Sequence, residues 1–406
     1  MNRATHGLLM VGIAAALALA LATSLWPEGR VPEPAQPQAE LPAALPYFGF
    51  NEAAWGTAWQ GQALNDAIAA AAEAGANTNR LTVRWFDVVG PSGAWDEDGW
   101  ARYRTAYQTM LLAGIQPIVM LVAAPRGTDQ LGDPDWAVPG CLAGSASPPA
   151  PEYDQRWTEF VARAGLEFRG ALAFQIWNEP NSEDYWGGCD VDPARYVQLV
   201  DLARQALGPS ERMPIVSAGL NSAVDEPAGM PWTDYLQRAL YAGLLTDDRA
   251  QFVGVHPYPR PDTCGATPAE TARALVDGMS RQLDEAERLS PAEIWVTEFG
   301  ATSAAALPAE CRALGPELQA QVLTAMYDLL ARDDRVEVGI VHQLVDQSVA
   351  NPDPSVVAYW SNFGVTTNAT SASAFLDRKD AYWCLAGRQG RPNHSTVSCT
   401  LGESPG

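Results

Sequence analysis

Beyond residue 46 the chain alternates between two patterns of apolar and polar positions. Short apolar runs bounded by turn residues read as strands buried on both faces, and longer stretches with apolar positions three and four apart read as amphipathic helices. The pattern places strands at residues 48–51, 79–85, 116–124, 171–178, 214–220, 252–256, 293–297 and 336–344. Between and after them it places helices at residues 63–74, 100–112, 153–168, 193–207, 232–242, 268–289, 316–331 and 377–385. Gly75 and Gly114 follow two of these helices as stop signals, and Pro193 suits a first helical turn. Eight strand–helix repeats predict an α/β fold, the parallel (β/α)8 TIM barrel, as a single domain. A doubly wound sheet would carry a glycine-rich nucleotide turn after an early strand, and the sequence has none.

The segments outside this pattern divide the rest of the chain. Residues 1–26 carry Arg3 and then an apolar run from Leu8 to Trp26, which reads as an export signal: a signal peptide, or a membrane anchor close to the roughly 20 residues that span a bilayer. Residues 27–46 are rich in proline and alanine with no apolar periodicity, so they read as a linker to a domain over 47–406. Residues 126–151, full of Gly, Pro and Asp, read as a long loop over one end of the barrel. The expected location is extracellular or at the cell surface, with membrane contact only through such an anchor.

Charge and composition then remove whole classes of chemistry. With 48 acidic and 26 basic residues the formal charge is −22, which repels nucleic-acid phosphates. Lys379 is the only lysine and sits in no P-loop, which argues against Walker-type and Schiff-base chemistry. The four histidines form no HExxH or close pair, so a dedicated zinc site is not expected, and the chemistry read below requires no cofactor. Six cysteines in an exported chain imply disulfides. Neighbouring loops on one barrel face would pair Cys141 with Cys189, Cys264 with Cys311 and Cys384 with Cys399.

The candidate chemistry lies where two strands end. The fourth strand runs into Gln175-Ile176-Trp177-Asn178-Glu179-Pro180-Asn181, and the seventh into Trp295-Val296-Thr297-Glu298-Phe299-Gly300. Each brings a glutamate to the C-terminal mouth of a barrel, the end where such folds carry their chemistry. Two carboxylates facing each other there meet the requirement of glycoside hydrolysis, in which one protonates the leaving oxygen and the other attacks or activates water.

These two motifs resemble the retaining (β/α)8 glycoside hydrolases of clan A, most closely family 39 with the cellulase-like family 5 second, over residues 47–385. The resemblance implies Glu179 as acid/base, Glu298 as nucleophile and Asn178 as donor to a sugar 2-hydroxyl. Val255-His256-Pro257-Tyr258 resembles the clan's His-x-Tyr, whose tyrosine bonds the nucleophile, and Arg84 ends a strand where the clan supports the nucleophile with arginine. An arginine and a phenol there would keep Glu298 ionised. Trp177 and Trp186, nearest Glu179, are expected to contact sugar; Trp55, Trp59, Trp85 and Trp136 also fall near strand ends. One departure stands out: His342-Gln343-Leu344 occupies the end of the eighth strand, where many clan members carry a tryptophan under the sugar. The expected partner is a β-linked poly- or oligosaccharide. A glycan-binding barrel without turnover and a transglycosylase are the rival readings.

Overall fold

The computed structural model describes residues 44–402 apart from 53, 91, 126–145, 188–189, 225–226, 260–266, 305–313, 348–359 and 369–375. The segment expected to be an export signal, most of the expected linker, most of the 126–151 stretch and four of the six cysteines therefore lie outside the described residues. No helix among the described residues is long and apolar enough to cross a membrane.

The barrel strands are β1 (Tyr47–Asn51), β2 (Arg80–Arg84), β3 (Ile118–Val122), β4 (Ala173–Ile176), β5 (Ile215–Val216), β6 (Leu220–Asn221), β7 (Val253–His256), β8 (Ile294–Phe299) and β9 (Val336–His342). All pair in parallel in the order β5-β4-β3-β2-β1-β9-β8-β7-β6. β5 and β6 are two halves of the single strand expected at 214–220, interrupted at Ser217 to Gly219. Closure occurs across that interruption: Ser217 donates its N–H to Phe252 O at 3.0 Å, and Gly254 donates to Ser217 Oγ at 3.0 Å. Gly254 is required there, because a Cβ would lie 2.5 Å from Ser217 O.

Among the described residues, seven helices wrap the sheet: α1 (Gly61–Glu73), α2 (Glu97–Leu112), α3 (Asp154–Glu167), α4 (Pro193–Leu207), α5 (Trp232–Tyr241), α6 (Pro268–Leu289) and α7 (Gly315–Leu330). An eighth, α8 (Asp380–Arg388), packs at the end of the chain. Their starts follow local chemistry. Asp96 and Asp192 accept the orphan N–H groups opening α2 and α4, and Thr267 with Glu270 forms a capping box on α6. An antiparallel ribbon, β10 (Thr366–Asn368) with β11 (Leu376–Arg378), precedes α8 and has no counterpart in the expected pattern. The Cys384–Cys399 disulfide ties the tail to α8.

Alternation along each strand sorts the core into two parts. Outward residues such as Phe48, Leu81, Leu121 and Phe174 pack under the helices, while Ile118, Ala173, Val216, Trp295, Val338 and Ile340 plug the floor of the barrel. Above that plug the interior turns polar: Arg80, Gln175, Thr297 and His256 are all fully buried. Buried polar groups need partners, so this layer is a network that positions whatever lies above it. Gly254→Ala should open the seam between the two halves of strand five and β7, costing about 2 kcal/mol or more in denaturant unfolding; an unchanged midpoint would contradict this closure.

Candidate active site

At the C-terminal mouth a cleft of roughly 580 Å³ is bordered by Glu179, Glu298, Asn178, Tyr258, His342 and Trp360, among others. Glu179 lies in the loop after β4 with φ of 42°, two residues beyond Trp177 with φ of 73°. Left-handed backbone at non-glycine residues costs about 1–3 kcal/mol each and persists only where neighbours enforce it. Here Trp177 donates its ring N–H to Tyr185 O at 2.8 Å, and Glu179 donates its backbone N–H to Gly219 O at 3.1 Å. Asn181, fully buried, donates to Asn221 O at 3.0 Å and to Met230 O at 3.2 Å, and accepts from Asn221 N at 3.0 Å. That clamp brings Asn221 Nδ2 to 3.1 Å from Glu179 Oε2. The other oxygen, Oε1, lies 2.7 Å from His256 Nδ1, whose ring meets Thr297 Oγ1 at 3.1 Å through Nε2.

Glu298 reaches the mouth by a change of phase within β8. Trp295 and Thr297 both face the barrel interior, so strict alternation would turn Glu298 outward. A register shift between Val296 and Phe299 breaks the alternation, and Glu298 also points inward while Phe299 joins the outer core. Bulges re-aim side chains beside active sites in this way.

The surroundings of Glu298 differ from those of Glu179. Arg80 makes a buried ion pair with Glu298 Oε1 and a hydrogen bond to Asn178 Oδ1. Asn51 Nδ2 donates to Oε1 at 3.0 Å, and the Tyr258 hydroxyl donates to Oε2 at 3.0 Å. Burial opposes ionisation of Glu298, but His256, Arg80 and His342, with the hydrogen bond from Arg80, together bring its carboxyl down to about 2. Burial first, and then the charges of Glu298 and Glu179, push the Tyr258 phenol up, so it keeps the proton it donates. Burial drives the His342 imidazole down against the pull of both carboxylates. Asn51 Nδ2 has one hydrogen for Glu298 and one for His342 Nδ1 at 3.1 Å, which leaves the proton of neutral His342 on Nε2.

The expected site residues divide accordingly. Glu179, Glu298, Asn178, His256 and Tyr258 come together, with His256 on Glu179 rather than beside the tyrosine's partner alone. Arg84 does not support Glu298: it bonds Asp87 Oδ2 at 2.7 Å and borders the cleft, while Arg80, at the start of the same strand, makes the ion pair. Trp177 and Trp186 are not sugar contacts; both are buried, packed on each other at 5.8 Å and outside the cleft lining. Trp55 and Trp85 are buried as well, and Trp136 lies outside the described residues. Arg80, Asn51 and Asn221 were not singled out by sequence. Their signal was available in the pleat: Arg80 shares the inward parity of Arg84, and Asn51 and Asn221 are polar residues ending apolar strands at the same mouth.

One oxygen of Glu179, one of Glu298 and a ring nitrogen of His256 all lie within 4.8 Å of one another. That donor set has the spacing of a cation site, yet Arg80 already places a positive charge on Glu298. The short separation suits two carboxyl groups about 5–5.5 Å apart, as in retaining glycosidases, better than the 6.5–9.5 Å of inverting ones.

A family model described as cellulase, glycosyl hydrolase family 5, matches residues 42–329. The sequence resemblance had ranked family 39 ahead of family 5. Solved structures with the same fold include a family 39 glycoside hydrolase from Bacteroides cellulosilyticus WH2, at TM-score 0.54 and 16% identity, with 86% of this chain and 64% of that chain covered. They also include the exo-β-1,4-mannosidase Op5Man5 from Opitutaceae bacterium strain TAV5, at TM-score 0.56 and 16% identity, with 85% of this chain and 59% of that chain covered. The chain thus spans less than two thirds of the length of either. A family 1 β-glucosidase from Thermotoga maritima matches at TM-score 0.54 and 13% identity, covering 85% of this chain and 98% of that one. At these identities the likeness is one of fold. No curated protein matches the sequence.

The two arginines are separable by titration. Arg80→Met should raise the Glu298 carboxyl from about 2 into the ordinary carboxylate range, since a neighbouring cation is lost, whereas Arg84→Met should leave it in place. Carboxyl ¹³C NMR of both variants reads this directly; a rise in Arg84→Met alone would reverse the assignment.

Proposed function

Since the chain belongs to glycosyl hydrolase family 5, we propose that it is a retaining glycosidase that cleaves a β-linked glycan by double displacement. The observation that carries this reading is the pair of carboxylates within 4.8 Å, one of them surrounded by Arg80, Asn51 and Tyr258.

Glu298, kept ionised by those neighbours, attacks the anomeric carbon. Glu179 delivers a proton to the glycosidic oxygen as the bond to the leaving sugar breaks, which leaves a glycosyl ester on Glu298. Glu179, now a base, takes a proton from water; the water attacks the anomeric carbon from the face the leaving group vacated, and Glu298 departs as carboxylate. Two inversions give net retention. His256 and Asn221, one on each oxygen of Glu179, fix its orientation through both steps. Asn178 spends Oδ1 on Arg80, and its Nδ2 makes no hydrogen bond among the described residues. It is therefore free to donate to the sugar 2-hydroxyl, a contact that strengthens in the transition state.

Two names among the structural neighbours bear on the substrate: a β-1,4-mannosidase and β-glucosidases. We take gluco- and manno-configured β-glycans as the substrate class on that basis. Export rests on the apolar run from Leu8 to Trp26, and the Cys384–Cys399 disulfide supports an oxidising compartment.

Azide separates the two roles. Glu298→Ala should lose on the order of 10⁴-fold or more in kcat and regain turnover with azide to give an α-glycosyl azide. Glu179→Ala should be rescued on activated aryl β-glycosides to give the β-glycosyl azide. The same anomer from both variants, or wild-type rates in either, would sink the reading.

A further inference from the structure

The end of β9 carries His342 where the clan resemblance leads one to expect an aromatic floor, and another ring occupies the cleft nearby. Trp360 borders the same cleft as Glu179 and Glu298 and is 40% exposed, while Trp55, Trp85, Trp100, Trp157 and Trp177 are fully buried. It stacks on Phe363 with centroids 5.5 Å apart and planes 18° from parallel. Phe363, itself buried, meets His342 edge-on at 5.7 Å and Tyr258 at 6.3 Å. Tyr258 in turn donates to Glu298. A continuous aromatic wall therefore runs from the side of Glu298 out to Trp360.

The turn beneath this wall is held from several sides. Gln319 Nε2, fully buried on α7, shares its two hydrogens among Ala301 O at 3.0 Å, Gly364 O at 3.2 Å and Asn362 O at 3.3 Å. Ser303 N donates to Asn362 O at 2.9 Å. Lys379, the chain's only lysine, places Nζ 2.9 Å from Gly364 O, 3.0 Å from Ser303 Oγ and 2.8 Å from Asp346 Oδ1. Gly364 admits no side chain, since a Cβ would lie 2.1 Å from Asp346 N. These contacts fix the backbone on which Phe363 sits, and Phe363 sets the plane of Trp360. A ring held in advance loses little freedom when a ligand covers it.

We propose that Trp360 is the sugar-stacking platform of this cleft and that it binds the glycone side, the part of the glycan that becomes attached to Glu298. This rests on the retaining glycosidase reading above. The side follows from the chemistry: the wall is continuous with Glu298, which bonds the glycone, whereas Glu179, which meets the leaving oxygen, is flanked by Asn221. Equatorially linked pyranoses present flat C–H faces, and an indole is the side chain best able to cover one.

The test compares wild type, Trp360→Ala and Trp360→Phe on aryl β-glycosides of gluco and manno configuration, with glycones of one to three sugars and two leaving groups each. Trp360→Ala should lower kcat/KM about tenfold on at least the longer glycones. The loss should be the same for both leaving groups, and Trp360→Phe should recover most of it at an unchanged melting temperature. No loss in Trp360→Ala, a loss that depends on the leaving group, or an equal loss in Trp360→Phe would overturn the platform while leaving the glycosidase reading intact. Absence of wild-type turnover on every compound would instead overturn that reading, and the platform with it.

Discussion

A carboxylate that stays ionised while almost wholly withdrawn from water is the constraint around which this molecule is arranged. Burial alone would protonate Glu298, yet its surroundings hold it at about 2. The compensation comes from three separate strands or strand ends: Arg80 on β2, Asn51 on β1 and Tyr258 beyond β7. Only a closed barrel brings those ends to one point. Breaking such a pair by removing one partner costs roughly 3–5 kcal/mol, because it strands the other charge. The barrel's polar middle layer is therefore part of the site rather than a defect in the core.

The two glutamates meet opposite needs by being built differently. Glu298 stays within a strand and is turned inward by the register shift in β8, where cationic and donor groups converge. Glu179 stands in a left-handed loop conformation past the end of β4, touched by His256 and Asn221 and by no arginine among the described residues. Asn181, the last residue of the Trp177–Asn181 string, never faces the cleft; it bolts that loop to β6. A short motif thus sets Glu179 at the mouth, Asn178 beside Arg80 and Asn181 in the clamp that holds them there.

Much of this was legible in the residues. Apolar runs marked all eight barrel strands, and Pro193 marked a helix start that the structure keeps. The split of the fifth strand was not legible, because it depends on the Ser217 contacts with β7. Nor was the choice between Arg80 and Arg84: both face inward, and only depth in the barrel decides which guanidinium reaches Glu298. Trp177 and Trp186 looked like sugar contacts because they flank Glu179 in sequence. The left-handed backbone at Trp177 turns its ring into the core instead, against Trp157 and Trp186. Trp360 carried no strand-end signal, and its place in the cleft emerges only from Phe363 and the turn beneath it.

The central claim is that Glu298 bonds the sugar before water does, and the stereochemistry of the first product tests it most directly. Proton NMR of a β-glycan digest, followed from the earliest minutes, should show the β-anomer of the new reducing end first and the α-anomer only later through mutarotation. An α-anomer that appears first would mean single displacement by water, and would contradict the roles assigned to Glu298 and Glu179.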